Sequence, residues 1–361
     1  MINGKPLGQP FNNLISKIIL PAFKEEKMSK SIYEQMTDKI MLTGSKIIPE
    51  LFEMIASQDE AELMMAMPGT PEQLAEKLGK PIEEIDAKCR ELYHKGLAFK
   101  SFKGGTVGYK MCRDMIQFHD ATILWQEAPR EYLDLWQKFM EEEWPGFARL
   151  AEQFFPKPFT RVIPVQESVD AGGQQVLEPD SVNKIIESAD IVAVTKCTCR
   201  VIAHKCDMPV EVCLQVNNAA RYTIDRGSGR EVTKEEALKI LRECEEKGLV
   251  HVTMNKSHVG HFICNCCDDC CQALPLIISE GLNICDPSRF RAEIDPDACV
   301  ACGTCLDRCY FNAIEETETG NDETVMSVIA EKCFGCGLCS VTCPENAISL
   351  IEARAADFIP K

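Results

Sequence analysis

Residues 299–309 read Cys299-Val-Ala-Cys302-Gly-Thr-Cys305-Leu-Asp-Arg-Cys309, and residues 333–344 read Cys333-Phe-Gly-Cys336-Gly-Leu-Cys339-Ser-Val-Thr-Cys343-Pro344. Both stretches have the spacing C-x2-C-x2-C-x3-C, which is typical of thiolate ligands to iron–sulfur clusters. The first three thiolates of such a run surround one cluster, and the fourth points to the other cluster. The two stretches therefore predict two clusters in a chain that carries electrons.

The sequence repeats internally, with the offset that separates Cys299 from Cys333, and the residues after each stretch share it. Cys309-Tyr-Phe-Asn-Ala-Ile corresponds to Cys343-Pro-Glu-Asn-Ala-Ile. Over about residues 290–355 this duplication resembles the bacterial two-cluster ferredoxin, a fold of two βαβ-like halves about a pseudo-dyad. The resemblance implies two [4Fe–4S] clusters with crossed ligand sets. These sets are Cys299, Cys302, Cys305 and Cys343 for one cluster, and Cys333, Cys336, Cys339 and Cys309 for the other.

Two features qualify this resemblance. Tyr310 stands where the family usually has proline, which leaves all eight thiolates in place but alters the backbone beside one cluster. The alternative to clusters is zinc on two sites of four cysteines each, because a tetrahedral all-sulfur site suits both metals. The x2-x2-x3 spacing favours the clusters.

The bulk composition excludes some classes of function. The 361 residues are 45% hydrophobic and 26% charged, as in ordinary globular proteins of two or three domains. The formal net charge of −17 disfavours nucleic-acid binding, which needs clustered Lys and Arg, and suits docking on a basic redox partner. The N-terminus lacks the pattern of a secretory signal, and no apolar run is long enough to span a membrane. We therefore expect the protein to be located in a reducing, anaerobic cytoplasm.

The 21 cysteines are strongly segregated along the chain. Two lie in residues 1–190, eleven in residues 197–285 and eight in residues 299–343. Cys89, Cys112 and Cys244 fall in or beside helical patterns and are predicted to be small buried hydrophobic residues. The remaining middle cysteines form two patches that predict at least one further metal site. The candidate ligands in the patches are Cys197, Cys199, Cys206, Cys213, Cys264, Cys266, Cys267, Cys270 and Cys271, followed by Cys285.

Adjacent cysteines in extended backbone point to opposite sides, so one member of each adjacent pair is free to face elsewhere. An additional iron–sulfur cluster is the main hypothesis for the two patches. Zinc, and buried or disulfide-bonded cysteines, are the alternatives. His204, His251, His258 and His261 lie nearby in sequence, and a structural role is the expectation for each.

The middle region also carries a resemblance. Cys197-Thr-Cys199-Arg200, Pro209, Gly248-Leu-Val-His251 and Cys264-Asn-Cys-Cys-Asp-Asp-Cys-Cys271 precede the ferredoxin-like part. From about residue 160 to 355 this pattern is similar to proteins of anaerobes described only as 4Fe–4S ferredoxin-domain proteins. The resemblance implies electron transfer and fixes neither substrate nor partner.

The N-terminal part is predicted to be helical. A capping box at Thr70 and Gln73 opens a helix that ends at Gly79, and a second helix runs from Pro81 to about His94. A glycine-turn hairpin follows, so the stretch at about 66–112 resembles a winged helix. Its second helix has an acidic excess, which favours packing or protein contact over DNA binding.

These observations predict a multidomain α+β chain. A helical, winged-helix-like domain spans residues 1–155, a cysteine-rich α/β domain spans 156–289, and a bacterial ferredoxin-like domain spans 290–361. The predicted function is electron relay through two [4Fe–4S] clusters and a further cluster, to or from a flavoprotein, dehydrogenase or reductase. The alternatives are an oxidoreductase whose middle cluster faces substrate, and a redox-sensing winged-helix regulator. The sequence lacks the motifs of hydrolases and nucleotide-binding loops.

Overall fold

A computed structural model describes residues 30–103, 105–170, 177, 180–258, 260–318 and 324–361. The fold mixes helices with one large and three two-stranded sheets. Within the described residues, none of the helices has the length and apolar character needed to cross a membrane.

The N-terminal part is helical with one β-hairpin. The hairpin strands β1 (Ala98–Lys103) and β2 (Thr106–Met111) pair antiparallel. Its helices are α1 (Ile32–Lys39), α2 (Ile47–Ile55), α3 (Gln58–Ala66), α4 (Pro71–Leu78), α5 (Ile82–Lys95), α6 (Met115–Ile123), α7 (Arg130–Glu142) and α8 (Trp144–Phe154).

The sequence signals at α4 and α5 act as predicted. Thr70 and Gln73 form a reciprocal capping box at the start of α4, with Pro71 as its first residue. Gly79 and Gly96 end α4 and α5 in the left-handed conformation, which glycine adopts without steric cost. The order helix, turn, helix, hairpin is therefore present.

Aromatic residues fill the centre of the N-terminal core. Trp136 on α7 is fully buried, with ring centroids 5.0 Å from Phe118 and 5.7 Å from Phe139. Trp144 begins α8, whereas Trp125 lies in the loop between α6 and α7 rather than in a helix. Two of the three tryptophans thus lie in helices of this core, and the third packs against it from a connection.

The middle part is built on a seven-stranded sheet of order β6-β4-β5-β8-β7-β3-β9. Neighbouring strands pair antiparallel except β3 with β9. Its strands are β3 (Thr160–Ile163), β4 (Val192–Lys196), β5 (Glu211–Val216), β6 (Arg230–Val232), β7 (Val250–Met254), β8 (Phe262–Cys266) and β9 (Cys285–Asp286). The helices around it are α9 (Gln166–Asp170), α10 (Val182–Ser188), α11 (Thr198–Ala203), α12 (Asn218–Arg226), α13 (Lys234–Lys247) and α14 (Leu274–Glu280).

The start of α13 shows one half of a capping box. Thr233 accepts a hydrogen bond from the amide of Glu236 and so caps α13. The Glu236 carboxylate does not return the bond but forms an ion pair with Arg230, at 2.7 Å. The ion pair with Arg230 on strand β6 therefore takes the place of the second half of a capping box.

The C-terminal part repeats with the same offset as its sequence. Strands β10 (Phe290–Ile294) and β13 (Ile348–Glu352) pair antiparallel, as do β11 (Ile314–Glu318) and β12 (Thr324–Val328). Each half also carries one short helix, and a short 3-10 turn (Ala356–Phe358) follows β13. These helices are α15 (Thr304–Arg308) and α16 (Leu338–Val341). The offset from Cys299 to Cys333 carries β10 onto β12, α15 onto α16, and β11 onto β13.

The C-terminal part is docked on the middle part. Arg308 donates from Nη2 to the carbonyls of Glu245 and Glu246, at 2.7 and 3.0 Å, where α13 ends. On another side, the Val165 amide donates to the Cys336 carbonyl at 2.9 Å. These contacts hold both ferredoxin-like halves against the middle part, the first through Arg308 and the second through Cys336.

Candidate metal centres

The eight C-terminal cysteines lie around two cavities. Ile294, Val300, Thr304 and Met326 help to line the first, which we call the outer cavity. The inner cavity is lined partly by Ala292, Phe311 and Val328. The cysteines of the outer cavity are Cys299, Cys302, Cys305 and Cys343, and those of the inner cavity are Cys309, Cys333, Cys336 and Cys339. Each cavity thus takes three cysteines from one run and the last cysteine of the other.

Backbone amides face the sulfurs in the same way at both cavities. The amide of Ala347 donates to Cys343 Sγ at 3.3 Å, and that of Met326 donates to Cys299 Sγ at 3.4 Å. At the inner cavity the corresponding bonds come from the equivalent residues of the repeat. Ala313 donates to Cys309 Sγ at 3.4 Å and Ala292 to Cys333 Sγ at 3.5 Å. Such bonds stabilise thiolate sulfur and tune the potential of a bound cluster.

Left-handed backbone lets each run curl around its cavity. Gly303 and Gly337, which precede α15 and α16, have φ of 76° and 78°. Ala301 and Gly335 occupy another matched pair, with φ of 52° and 63°. A Cβ on Gly335 would lie 2.1 Å from the Phe290 carbonyl oxygen, so this site requires glycine. The donor set, the inward amides and the curled runs fit two [4Fe–4S] clusters.

The two cavities differ in exposure. Cys302 at the outer cavity is exposed and lies beside Val300, which is 62% exposed. Cys333 and Cys339 at the inner cavity are buried, and burial raises the pKa of Cys336 to about 12. Of the eight cysteines around the two cavities, Cys302 at the outer cavity is therefore the exposed one.

Six middle cysteines form a continuous row of neighbouring thiols, which we call the cysteine row. Cys197 lies beside both Cys199 and Cys213. Cys213 also lies beside Cys264, and Cys266 lies between Cys264 and Cys271. From one end to the other, the row is Cys199, Cys197, Cys213, Cys264, Cys266 and Cys271.

Mutual proximity in the row perturbs the thiols strongly. The neighbouring Cys197 and burial hold the pKa of Cys199 well above its ordinary value. The neighbours Cys197 and Cys264 do the same to the pKa of Cys213. Bare thiols packed this closely cannot all ionise together, whereas a bound metal centre stabilises every thiolate.

Three further middle cysteines form a second, compact group with an acidic residue. Cys206 Sγ lies 4.0 Å from Cys267 Sγ and 3.6 Å from Cys270 Sγ. A carboxylate oxygen of Asp269 joins them, and all four ligand atoms lie within 4.8 Å of one another. We call Cys206, Cys267, Asp269 and Cys270 the compact group.

Arg200 is a buried cation between the cysteine row and the compact group. It is 3% exposed and donates from Nε to Cys267 Sγ at 3.3 Å. Its other donors bind the carbonyls of Pro209 and Asn265, at 2.8 and 2.6 Å. No carboxylate among the described residues forms an ion pair with it. Since a buried cation needs a counter-charge, Arg200 favours the ionised form of the thiols around it, Cys197, Cys213 and Cys267.

The cysteines outside these groups are buried structural residues. All 21 cysteines fall in described parts of the chain and are free thiols. Cys89, Cys112 and Cys244 are at most 3% exposed, as predicted. Cys285 lies buried on strand β9, and burial raises its pKa to about 12. Cys285, which follows the second patch in sequence, is therefore part of the sheet and lies outside both cysteine groups.

Two of the histidines near the patches, His204 and His251, have polar partners other than the cysteines. His251 is fully buried, and its ring nitrogens bind Asn265 Oδ1 at 2.6 Å and Glu245 Oε1 at 3.1 Å. His204 contacts Arg130. Burial lowers the pKa of His261. The structural role expected of His251 is the one observed.

The N-terminal part covers one side of the cysteine row, an arrangement that no sequence pattern predicts. Thr198 beside Cys197 donates to Asp120 Oδ1 at 3.0 Å. His119 is fully buried and contacts the Gln272 amide next to Cys271. The Trp144 indole donates to the Gln272 carbonyl at 2.8 Å. Near the cysteine row, the sequence indicates only Arg200 in addition to the cysteines, through the pattern Cys197-Thr-Cys199-Arg200.

Comparison with known proteins supports the C-terminal assignment. Residues 292–350 match the model of the 4Fe-4S dicluster domain family. This match supports [4Fe–4S] binding and iron–sulfur electron transfer by the C-terminal part of the chain. The comparison with curated proteins gave no significant match, and neither did the comparison with solved structures.

Proposed function

We propose that this chain is an iron–sulfur electron-transfer protein. It relays single electrons through two ferredoxin-type [4Fe–4S] clusters and one further cluster in the middle part. The observation that carries the proposal is the pair of cavities, each lined by four cysteines with crossed membership. Clusters bound there would supply one-electron redox chemistry at Cys299, Cys302, Cys305 and Cys343, and at Cys309, Cys333, Cys336 and Cys339.

The outer cavity is the proposed entry or exit point. Cys302 is exposed there, and the side chains of Val300 and Leu306 are 62% and 41% exposed. Exposed Glu345 lines the same cavity, and exposed Asp307 follows Leu306 in the chain. A small apolar patch with an acidic rim suits docking on a basic partner surface.

The inner cavity connects to the middle part. A Cβ on Gly337 would lie 2.2 Å from Ser168 Oγ, so the C-terminal part and the middle part are in close contact beside Cys336. Cys264, Cys266 and Cys271 pack against the apolar cluster that contains buried C-terminal cysteines. This continuity supports a relay in the order outer cavity, inner cavity, cysteine row.

The cysteine row is the proposed site of the further cluster. Six neighbouring free thiols offer more than the four ligands a cubane needs. Buried Arg200 supplies positive charge beside Cys197, Cys213 and Cys267. Such a counter-charge offsets part of the cost of burying thiolates.

The winged-helix-like unit is proposed to serve packing rather than DNA binding. The face of α5 that carries Ile85, Cys89 and Leu92 is buried. The cations of α5 are already bound by acids of the same helix, as Lys88–Glu84, Arg90–Asp86 and Lys95–Glu91. Little free positive charge is left for phosphate, which disfavours the regulator hypothesis.

The proposed partner is a flavoprotein, dehydrogenase or reductase in a reducing cytoplasm.

The test of the clusters begins with a reductive titration of the anaerobically purified full chain, followed by electron paramagnetic resonance. We expect uptake of about three electrons per chain, one for each cluster. Cys302→Ser and Cys343→Ser should both perturb the paramagnetic resonance signal of the cluster in the outer cavity. Cys309→Ser should instead perturb the signal of the cluster in the inner cavity. No electron uptake with about two zinc ions per chain would refute the proposal.

A further inference from the structure

The adjacent cysteine pairs of the middle part divide between two different sites. Cys266 belongs to the cysteine row, whereas its neighbour Cys267 belongs to the compact group. Cys271 belongs to the row, whereas its neighbour Cys270 belongs to the compact group. The segment 266–271 therefore presents two sulfurs to each site, because the chain leaves strand β8 at Cys266 and turns over residues 267–270.

The spacing of the compact group is that of ligands to a single metal ion. A tetrahedral ion with metal–sulfur bonds of about 2.3 Å places its sulfurs about 3.8 Å apart, the edge of the tetrahedron. The two Sγ–Sγ distances from Cys206 are 3.6 and 4.0 Å, on either side of that edge. In a cubane each thiolate binds a different iron, so its ligand sulfurs lie farther apart than sulfurs that share one ion.

The donor set narrows the metal. Cys267 and Cys270 form a C-x2-C turn, the usual ligand spacing of structural zinc sites. Cys206 adds a third thiolate and Asp269 an oxygen, within the same 4.8 Å group. Zinc accepts thiolate and carboxylate ligands together in tetrahedral geometry, whereas iron–sulfur clusters are generally held by cysteine thiolates, so the oxygen of Asp269 favours zinc.

We propose that Cys206, Cys267, Asp269 and Cys270 bind one Zn²⁺ ion. This site is separate from the iron–sulfur sites and stands whether or not the cysteine row holds a cluster. Three thiolates and a carboxylate around a dication leave a net charge of −2. Arg200, which donates to Cys267 Sγ at 3.3 Å, offsets part of this charge.

The position of the site indicates a structural role. Cys206 lies in the loop between α11 and β5, and Cys267 and Cys270 lie in the turn after β8. The ion would tie together two segments that also carry the cysteine row, namely Cys197 and Cys199 before the loop and Cys271 after the turn. Closing such a loop restricts the unfolded chain and holds the row in register.

Metal analysis of the full chain tests the proposal. The anaerobically purified protein is treated briefly with a chelator to remove loosely bound ions, and zinc and iron are then counted per chain. We expect about one zinc ion in the wild type and its loss in Cys206→Ser. Zinc X-ray absorption of the wild type should show three sulfurs near about 2.3 Å and one oxygen at about 2.0–2.2 Å.

A neighbouring acid provides the matched control. Asp269→Asn should release zinc to a competing chelator at least about 10-fold more readily than the wild type, and Asp268→Asn should not. The iron content and the cluster signals should be unchanged in both variants. If Cys206→Ser fails to fold, the two aspartate variants and the absorption spectrum still decide.

Four results would overturn the proposal. The first is wild type without zinc after chelator treatment, and the second is zinc that persists in Cys206→Ser. The third is a loss of about four irons from Cys206→Ser at an unchanged zinc content, which would make Cys206 a cluster ligand. The fourth is a single thiolate-bound iron in place of zinc.

Discussion

Substituting Gly337 by alanine tests whether the start of α16, in the second half of the ferredoxin-like part, packs tightly against α9 of the middle part. Gly337 has φ of 78°, and an added Cβ would lie 2.2 Å from Ser168 Oγ. Ser168 is 2% exposed, and its hydroxyl donates to the Val165 carbonyl at 2.7 Å. The obstacle is therefore held in place and cannot simply swing aside.

Gly303 is a control supplied by the internal repeat. It occupies the equivalent position in the first cysteine run, has φ of 76°, and has open space where its Cβ would lie. Both alanine variants incur about 1–2 kcal/mol of left-handed strain. Only Gly337→Ala adds overpacking, which costs about 1–3 kcal/mol. The difference between the two variants isolates the contact with Ser168.

The assay is the rate at which cluster absorbance disappears at a fixed denaturant concentration under anaerobic conditions. If the extra penalty of about 1–3 kcal/mol acts on the barrier to cluster loss, Gly337→Ala loses its clusters about 5- to 150-fold faster than Gly303→Ala. Combining Gly337→Ala with Ser168→Gly removes the obstacle and should bring the rate back near that of Gly303→Ala. Equal rates for the two single variants would refute the docking of α16 on α9.

Three other perturbations have equally definite outcomes. Burial raises the pKa of Glu60, but its bonds to Lys95 and backbone outweigh burial and lower the pKa below 4.5. Glu60→Gln should therefore cost about 1.5–3 kcal/mol near pH 7, a deficit that disappears as the pH falls through the folded pKa in circular-dichroism unfolding curves. Arg200→Gln leaves buried thiolates without a compensating positive charge, which should lower the free energy of unfolding by about 3–5 kcal/mol. Iron analysis of this variant should show a loss of about four irons per chain, whereas Arg200→Lys should retain most of its iron. Arg308→Met removes two charge-assisted bonds to the end of α13 and should speed hydrogen exchange around Glu245; unchanged exchange there would contradict that contact.

The C-terminal architecture could be predicted because its signals are local and repeated. The offset between the two cysteine runs recurs in the strands, the left-handed residues and the N–H···S bonds. Short ligand spacings constrain the backbone directly, so few alternatives remain. The helix start at Thr70 was predictable for the same reason, since a capping box involves only four consecutive residues.

The middle part shows where sequence reasoning ends. The prediction that one member of each adjacent cysteine pair faces elsewhere agrees with the structure, where Cys266 and Cys271 lie apart from Cys267 and Cys270. The grouping within each site follows from the turn at 267–270, which strand alternation does not predict. Strand alternation also cannot predict that Cys206 joins one side while Cys197 and Cys213 join the other, because those partners depend on how β5 and α11 pack. His119 gave no sequence signal at all, since its partner Gln272 is far away along the chain.

Iron and acid-labile sulfide per chain test the central claim most directly. The anaerobically purified wild type should contain about twelve of each, because three clusters hold four irons apiece. Cys213→Ser should lower both to about eight and leave the two ferredoxin-type signals intact, whereas Cys285→Ser, outside the cysteine row, should leave both at about twelve. A wild-type content of about eight would contradict the middle cluster, and a content near zero would contradict the electron-transfer account.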